Sequence, residues 1–232
     1  MRPVAKGQPP QAEYAQYRDA LDDLAGQIGL FCSYCEQPIQ HVPEVEHVQP
    51  KSLEPELERS WENLLLGCKS CNSTKSDKPV DLDRVAMPDR DNTFRGLVFL
   101  EGGRIGLAPG LTGTQAELMR HVVGLVRLDR HPDAENKDDQ PTDRDKRADL
   151  QRDVWDLAHR YRRLVEQPEG DPLICNLIAD DLAPAKGFFS VWMTVFRDHP
   201  EMLERFIQAF PGTDACSFND EGQAVLRPGG RL

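Results

Sequence analysis

Cys32-Ser-Tyr-Cys35, then Val45-Glu46-His47-Val48-Gln49-Pro50, then Trp61-Glu62-Asn63-Leu64-Leu65-Leu66, then Cys68-Lys69-Ser70-Cys71-Asn72-Ser73-Thr74-Lys75 form the stretch on which the reading of the chain turns. Two Cys-x-x-Cys pairs separated by 32 residues supply four thiolates, the ligand set of a closed tetrahedral zinc site. A closed site contributes folding energy and leaves no open position for chemistry. By themselves the pairs specify a zinc-stapled module, catalytic or merely binding. Between and beside them stand a carboxylate, an imidazole and two carboxamides, the groups that a hard cation and a general base require. Cys32, Cys35, Cys68 and Cys71 are therefore expected to clip together a second site that does the work.

The spacing supports that division. If residues 44–47 are extended, Val45 and His47 share one parity and Glu44 and Glu46 the other. Leu64-Leu65-Leu66 is a compact apolar run suited to the pairing strand. Lys69 to Lys78 reads as a helix carrying Asn72 and Lys75 on one face, three residues apart, and Pro79 ends it. Glu44 is placed to support a cation indirectly, although an exposed carboxylate is the plainer reading.

Glu46-His47-x-x-Pro50, Asn63-Leu-Leu-Leu and Cys68-x-x-Cys71-Asn72-x-x-Lys75 resemble the HNH nucleases, whose ββα-metal fold is a short hairpin followed by a helix. The resemblance implies that His47 is the general base activating water for attack on a phosphodiester. It implies that Glu46 and Asn72 hold one divalent cation, magnesium or manganese, and that Asn63 organises the loop. Lys75, on the face of Asn72, joins His47 and Asn63 as a catalytic candidate. Two departures stand out: Glu46 is one methylene longer than the usual Asp, and Asn72 replaces the last His with an oxygen ligand suited to magnesium. The opening Met-Arg-Pro-Val-x-Lys-Gly, a Tyr-containing helix and Phe31-Cys-Ser-Tyr-Cys35-Glu resemble a narrower subgroup. That subgroup includes nuclease subunits of Septu-type anti-phage systems, which work beside an ABC-type ATPase. It implies a DNA substrate, with RNA left open, and a protein partner.

At 232 residues, 39% of them hydrophobic, the chain has material for a sizeable core. It lacks an apolar run near the 18 or so residues that cross a bilayer, and its opening lacks the apolar stretch of a signal peptide. Cys175 and Cys216 are left over as expected free thiols, and a cytoplasmic location is expected. The net charge is −11, and residues 31–80 hold five basic side chains (Lys51, Arg59, Lys69, Lys75, Lys78) against eight acidic ones. Phosphate neutralisation drives non-specific DNA affinity, so the chain alone is expected to hold DNA weakly.

Around the stretch, residues 3–10 read as an extended arm and Gln11 to Ile28 as an amphipathic helix bearing Tyr14, Tyr17, Leu21, Leu24 and Ile28 on its packed face. Ser52 to Arg59 carries helix-start signals in a loop that brings Lys51 towards the groove, and Trp61 anchors that loop. Thr93 to Ala108 reads as a hairpin turning at Gly102-Gly103, and Thr114 as the cap of a helix to about Val126. Asp129 to Thr142 reads as a charged linker and Asp143 to Glu166 as a long helix, its arginines, Arg147 among them, on a solvated face. Pro172 to Leu182, Pro184 to Arg197 and Pro200 to Phe210 read as further helices. Phe188, Trp192 and Phe196 are either core or a docking face, and the tail from Gly229 reads as loose. The expected architecture is α+β and mainly helical. It comprises an arm and helix (1–30), a ββα-metal module (31–80), and a helical region with one extra hairpin (81–232) for positioning or docking.

Overall fold

The computed structural model describes residues 1–167 and 172–232. A 3₁₀ turn at Tyr17–Ala20 leads into α1 (Leu21–Ile28), which Gly29 closes at φ +71°. β1 (Glu44–His47) pairs antiparallel with β2 (Leu64–Gly67), Glu44 opposite Gly67 and His47 opposite Leu64. Helix α2 (Lys69–Lys75) follows directly. Its N-cap is Cys68, whose sulfur accepts the Cys71 N–H at 3.3 Å. The hairpin and helix are the ββα unit expected from the sequence. β3 (Leu97–Leu100) and β4 (Arg104–Leu107) make the second hairpin, Leu97 opposite Leu107. Its turn needs glycine: Gly103 lies at φ +81°, and a Cβ there would sit 2.2 Å from the Ala148 carbonyl oxygen.

The remainder is helical: α3 (Gly113–Val126), α4 (Arg147–Val165), α5 (Pro172–Asn176), a π-helical stretch at Leu177–Leu182, α6 (Ala183–Lys186), α7 (Phe189–Val195) and α8 (Pro200–Ala209). The chain is thus mainly helical, with two small two-stranded sheets. Leu24 and Ile28 of α1, Leu64 to Leu66 of β2, Met119 and Val122 of α3, Trp192 of α7, Phe196 just after it and Phe206 of α8 all belong to one buried core. β2 is buried along its whole length, with α1 packed against it, so strand parity does not separate core from solvent there.

Several sequence expectations are corrected. The first helix begins at Tyr17, not Gln11; upstream, Tyr14 instead stacks on Trp61 with ring centroids 6.2 Å apart. Trp61 does anchor its loop, donating Nε1–H to the Gly7 carbonyl at 3.0 Å. The arm of residues 3–10 is docked, its Lys6 ammonium donating to the Trp61 and Leu64 carbonyls. Thr112, not Thr114, caps α3, because Thr112 and Gln115 bond each other's backbone N–H in a reciprocal box. The stretch 129–142 is strapped down, with His131 buried and bonded to the Gly102 carbonyl, and Arg127 paired with Asp139. The Pro184–Arg197 helix is two, broken at Gly187 and Phe188, both at positive φ. Phe188, Trp192 and Phe196 are core and no docking face; each is 2% exposed or less. The tail is held too: Leu232 is buried, and Arg231 clasps Asp91 at 2.7 Å.

Candidate active site and zinc clip

The four thiol sulfurs of Cys32, Cys35, Cys68 and Cys71 lie within 4.8 Å of one another, all buried. Cys35 Sγ and Cys68 Sγ are 3.6 Å apart. A tetrahedron with Zn–S bonds of about 2.3 Å has sulfurs about 3.8 Å apart, so the donor set fits zinc. Local structure explains the convergence. Cys32 and Cys35 sit on a tight knuckle in which Glu36 N–H returns to the Cys32 carbonyl at 2.9 Å, with Glu36 at φ +66°. Ser33 N–H ties the knuckle to β2 through the Leu66 carbonyl at 2.8 Å. Cys68 and Cys71 begin α2.

Two buried charges lock this clip to the helical region. The Glu36 carboxylate accepts from Ser190 N–H at 2.8 Å and lies 3.1 Å from the Met1 backbone nitrogen. Arg147, at the start of α4, donates to Cys71 Sγ at 3.3 Å, to the Val126 and Arg127 carbonyls, and twice to Asp145 at 2.8 and 2.7 Å. Burial alone would lower the Arg147 pKa; its hydrogen bonds to Asp145, with the electrostatic influence of Cys71, Cys35 and Asp145, override it and raise it. Arg147 is thus no member of a solvated face.

On the other side of the hairpin, His47 Nε2 lies 2.9 Å from the Glu58 carbonyl oxygen. A carbonyl can only accept, so Nε2 carries the proton and Nδ1 keeps its lone pair. Burial pushes the imidazole pKa below its ordinary value, further favouring the neutral base. The Tyr17 ring lies against the imidazole, with centroids 4.7 Å apart. Asn63 is buried and bonds across the loop: its Oδ1 accepts Gln49 N–H at 2.7 Å, and its Nδ2 donates to the Gln49 and Leu57 carbonyls at 2.9 and 3.2 Å. That pinning delivers the Glu58 carbonyl to His47.

Glu46 is 1% exposed, with Oε1 2.9 Å from Lys75 Nζ, itself 1% exposed; Lys75 also donates to the His47 carbonyl at 2.6 Å. Burial raises the Glu46 carboxyl pKa to about 7 despite the lysine. Asn72 donates Nδ2–H to Glu44 Oε2 at 2.6 Å, and Glu44 Oε1 meets Lys69 at 3.3 Å. Gly67 separates the two groups: a Cβ there would lie 3.2 Å from Glu46 Cβ and 3.8 Å from Asn72 Cβ. The missing side chain leaves a cradle between a carboxylate and a carboxamide, with Glu44 beside it, and an oxygen donor set of this kind fits a hard dication.

The structure therefore brings His47, Asn63 and Glu58 together, and Glu46, Lys75, Asn72 and Glu44 around Gly67. Glu46 and Asn72 bond to other partners, not to each other. Sequence reasoning missed Glu58, which acts through its backbone and leaves no side-chain signature, and Arg147, hidden in a charged run. Tyr17 falls on the packed face that the spacing predicts for the first helix, and nothing local marks it as a neighbour of His47.

Among the described residues, no helix is long and apolar enough to cross a membrane. No curated protein matches the chain. Residues 32–78, which carry the thiol cluster, the β1–β2 hairpin and α2, do match the family model of the HNH endonucleases.

Proposed function

We propose that the chain is a metal-dependent endonuclease that hydrolyses phosphodiester bonds of DNA, with His47 as its base. The HNH domain supports a nuclease function, and the observation that carries the finer reading is the imidazole of His47, fixed by the Glu58 carbonyl with Nδ1 free. His47 Nδ1 takes a proton from water, the water oxygen attacks phosphorus, and the bond to the leaving oxygen breaks. Glu46 and Asn72 would hold magnesium or manganese, which would supply Lewis-acid stabilisation of the charge on the phosphate. Lys75, 2.9 Å from Glu46 Oε1, holds that carboxylate in place. Asn63 keeps the loop closed behind His47.

The acidic balance of the chain supports dependence on a partner that holds the DNA. The likeness to Septu-type nuclease subunits suggests an ABC-type ATPase for that role and antiviral defence in the cytoplasm as the setting. A second reading, a non-catalytic zinc module that binds nucleic acid or protein, is favoured by one observation: Lys75 already occupies Glu46. His47→Ala separates the two. With plasmid DNA and magnesium or manganese, the substitution should lower cleavage about 10²- to 10⁴-fold while DNA binding and zinc content persist. No cleavage by the parent with either metal, alone or with the products of adjacent genes, refutes the enzyme reading.

A further inference from the structure

The 3₁₀ turn that precedes α1 lies outside residues 32–78, yet it covers the imidazole. Tyr17 packs its ring on His47 at 4.7 Å, tilted by 60°. Two cations hold to that same ring: Lys51 Nζ lies 4.3 Å from its centroid, and the Arg18 guanidinium carbon lies 5.5 Å away. Arg18 Nε also donates to the Tyr17 hydroxyl at 3.1 Å. We propose that Tyr17 is a positioning residue for His47, and that Arg18 and Lys51, gathered on its ring, take the phosphates of the nucleic acid beside the scissile bond. The proposal rests on the nuclease reading above.

The first half follows from degrees of freedom. The hydrogen bond from Nε2 to the Glu58 carbonyl leaves the imidazole free to pivot about that bond. A ring packed on its side removes the pivot and fixes where Nδ1 points. The second half follows from elimination among the nearby cations. Lys75 is buried on Glu46, Lys69 sits on Glu44 at the far end of β1, Lys78 donates to the Leu125 carbonyl, and Arg59 turns away to the Tyr14 carbonyl and Glu13. Arg18 is exposed and has no carboxylate partner among the described residues. Lys51 pairs with Glu58 at 3.0 Å, but both side chains are 40% exposed or more, and an open pair of that kind exchanges readily for a phosphate. A cation over an aromatic face also keeps its outward donors for a ligand. Among the described residues of a chain of net charge −11, Arg18 and Lys51 stand beside the base with donors to spare.

Three full-length variants test this: Tyr17→Leu, Tyr17→Phe and the double variant Arg18→Ala/Lys51→Ala. Ring protons of His47, read by NMR, should lose an aromatic ring-current shift in Tyr17→Leu and keep it in Tyr17→Phe. In cleavage, Tyr17→Leu should lower kcat about tenfold, and Tyr17→Phe, which keeps the ring, should restore it. The double variant should raise KM and leave kcat within about twofold. Binding of a fluorescein-labelled duplex of about 20 base pairs, measured in calcium against salt, should show a log–log slope shallower by about one to two units. An unchanged His47 shift in Tyr17→Leu overturns the positioning role. An unchanged salt slope, or no binding by the parent at low salt, overturns the phosphate role. The NMR and binding measurements need no turnover, so failure of the nuclease reading shows separately as a parent that cuts nothing.

Discussion

Replacing Arg147 by methionine removes the buried clasp between the zinc clip and the helical region. The guanidinium is 6% exposed and makes five hydrogen bonds, two of them to Asp145, itself 6% exposed at its side chain. Methionine fills most of the space but strands the Asp145 carboxylate, and breaking a buried pair in this way costs about 3–5 kcal/mol. A chain of this size loses about 2–4 °C of Tm per kcal/mol, so a loss of about 4 kcal/mol lowers Tm by about 8–16 °C. The second consequence is local to the thiolates. Cys71 Sγ loses its donor at 3.3 Å, and removing an outer-shell partner typically weakens metal binding about 10- to 100-fold. Calorimetry reads the first effect, and zinc transfer to a colorimetric chelator reads the second. The double variant Asp145→Leu/Arg147→Met should regain most of the thermal loss, since no charge is stranded, yet still release zinc quickly. An Arg147→Met protein that melts within about 2 °C of the parent and holds zinc as tightly refutes the clasp.

The same pair carries a pH dependence. Burial by itself would raise the Asp145 pKa, but hydrogen bonds and charge from Arg147 hold it below the ordinary value. A depressed carboxyl stabilises the fold above the unfolded pKa of about 3.9 and loses that contribution as pH falls through the folded value. The Tm gap between parent and Arg147→Met should therefore narrow on acidification below about pH 4. Purified parent should contain one zinc per chain, and Cys68→Ser should lose it and become less soluble or less stable, with elemental analysis and thermal melting as the measurements; a disulfide among the four cysteines would contradict this. Asn63→Ala should cost about 1–3 kcal/mol by leaving buried loop groups unpaired. Hydrogen exchange should quicken between residues 49 and 63, and kcat should fall at temperatures where the fold remains intact.

The clip, the hairpin and the helix were legible in the sequence because their determinants are local. Two Cys-x-x-Cys knuckles, an apolar Leu64 to Leu66 and a helix opening at Lys69 specify themselves within a few residues each, although α2 stops at Lys75, where Ser76 turns to φ +52°, and not at Pro79. Periodicity likewise located α3, α4 and α8, whose apolar faces repeat at helical spacing. What escaped was whatever depends on another part of the chain. The segment at residues 3–10 read only as an extended arm and the tail from Gly229 as loose; they are held by Lys6 on the Trp61 and Leu64 carbonyls and by Arg231 on Asp91. Arg147 resembles every other arginine of a charged helix until Asp145 and Cys71 close around it. Phe188, Trp192 and Phe196 are an apolar cluster whose burial no single segment decides. At the site, the sequence by itself named His47, Asn63, Glu46 and Asn72 as candidates, because their chemistry is carried by side chains in a short ordered pattern. Only the tertiary structure decided which imidazole nitrogen of His47 keeps its lone pair. The Glu58 carbonyl oxygen, 2.9 Å from Nε2, makes that choice, and a hydrogen bond accepted by main chain leaves no mark on residue identity.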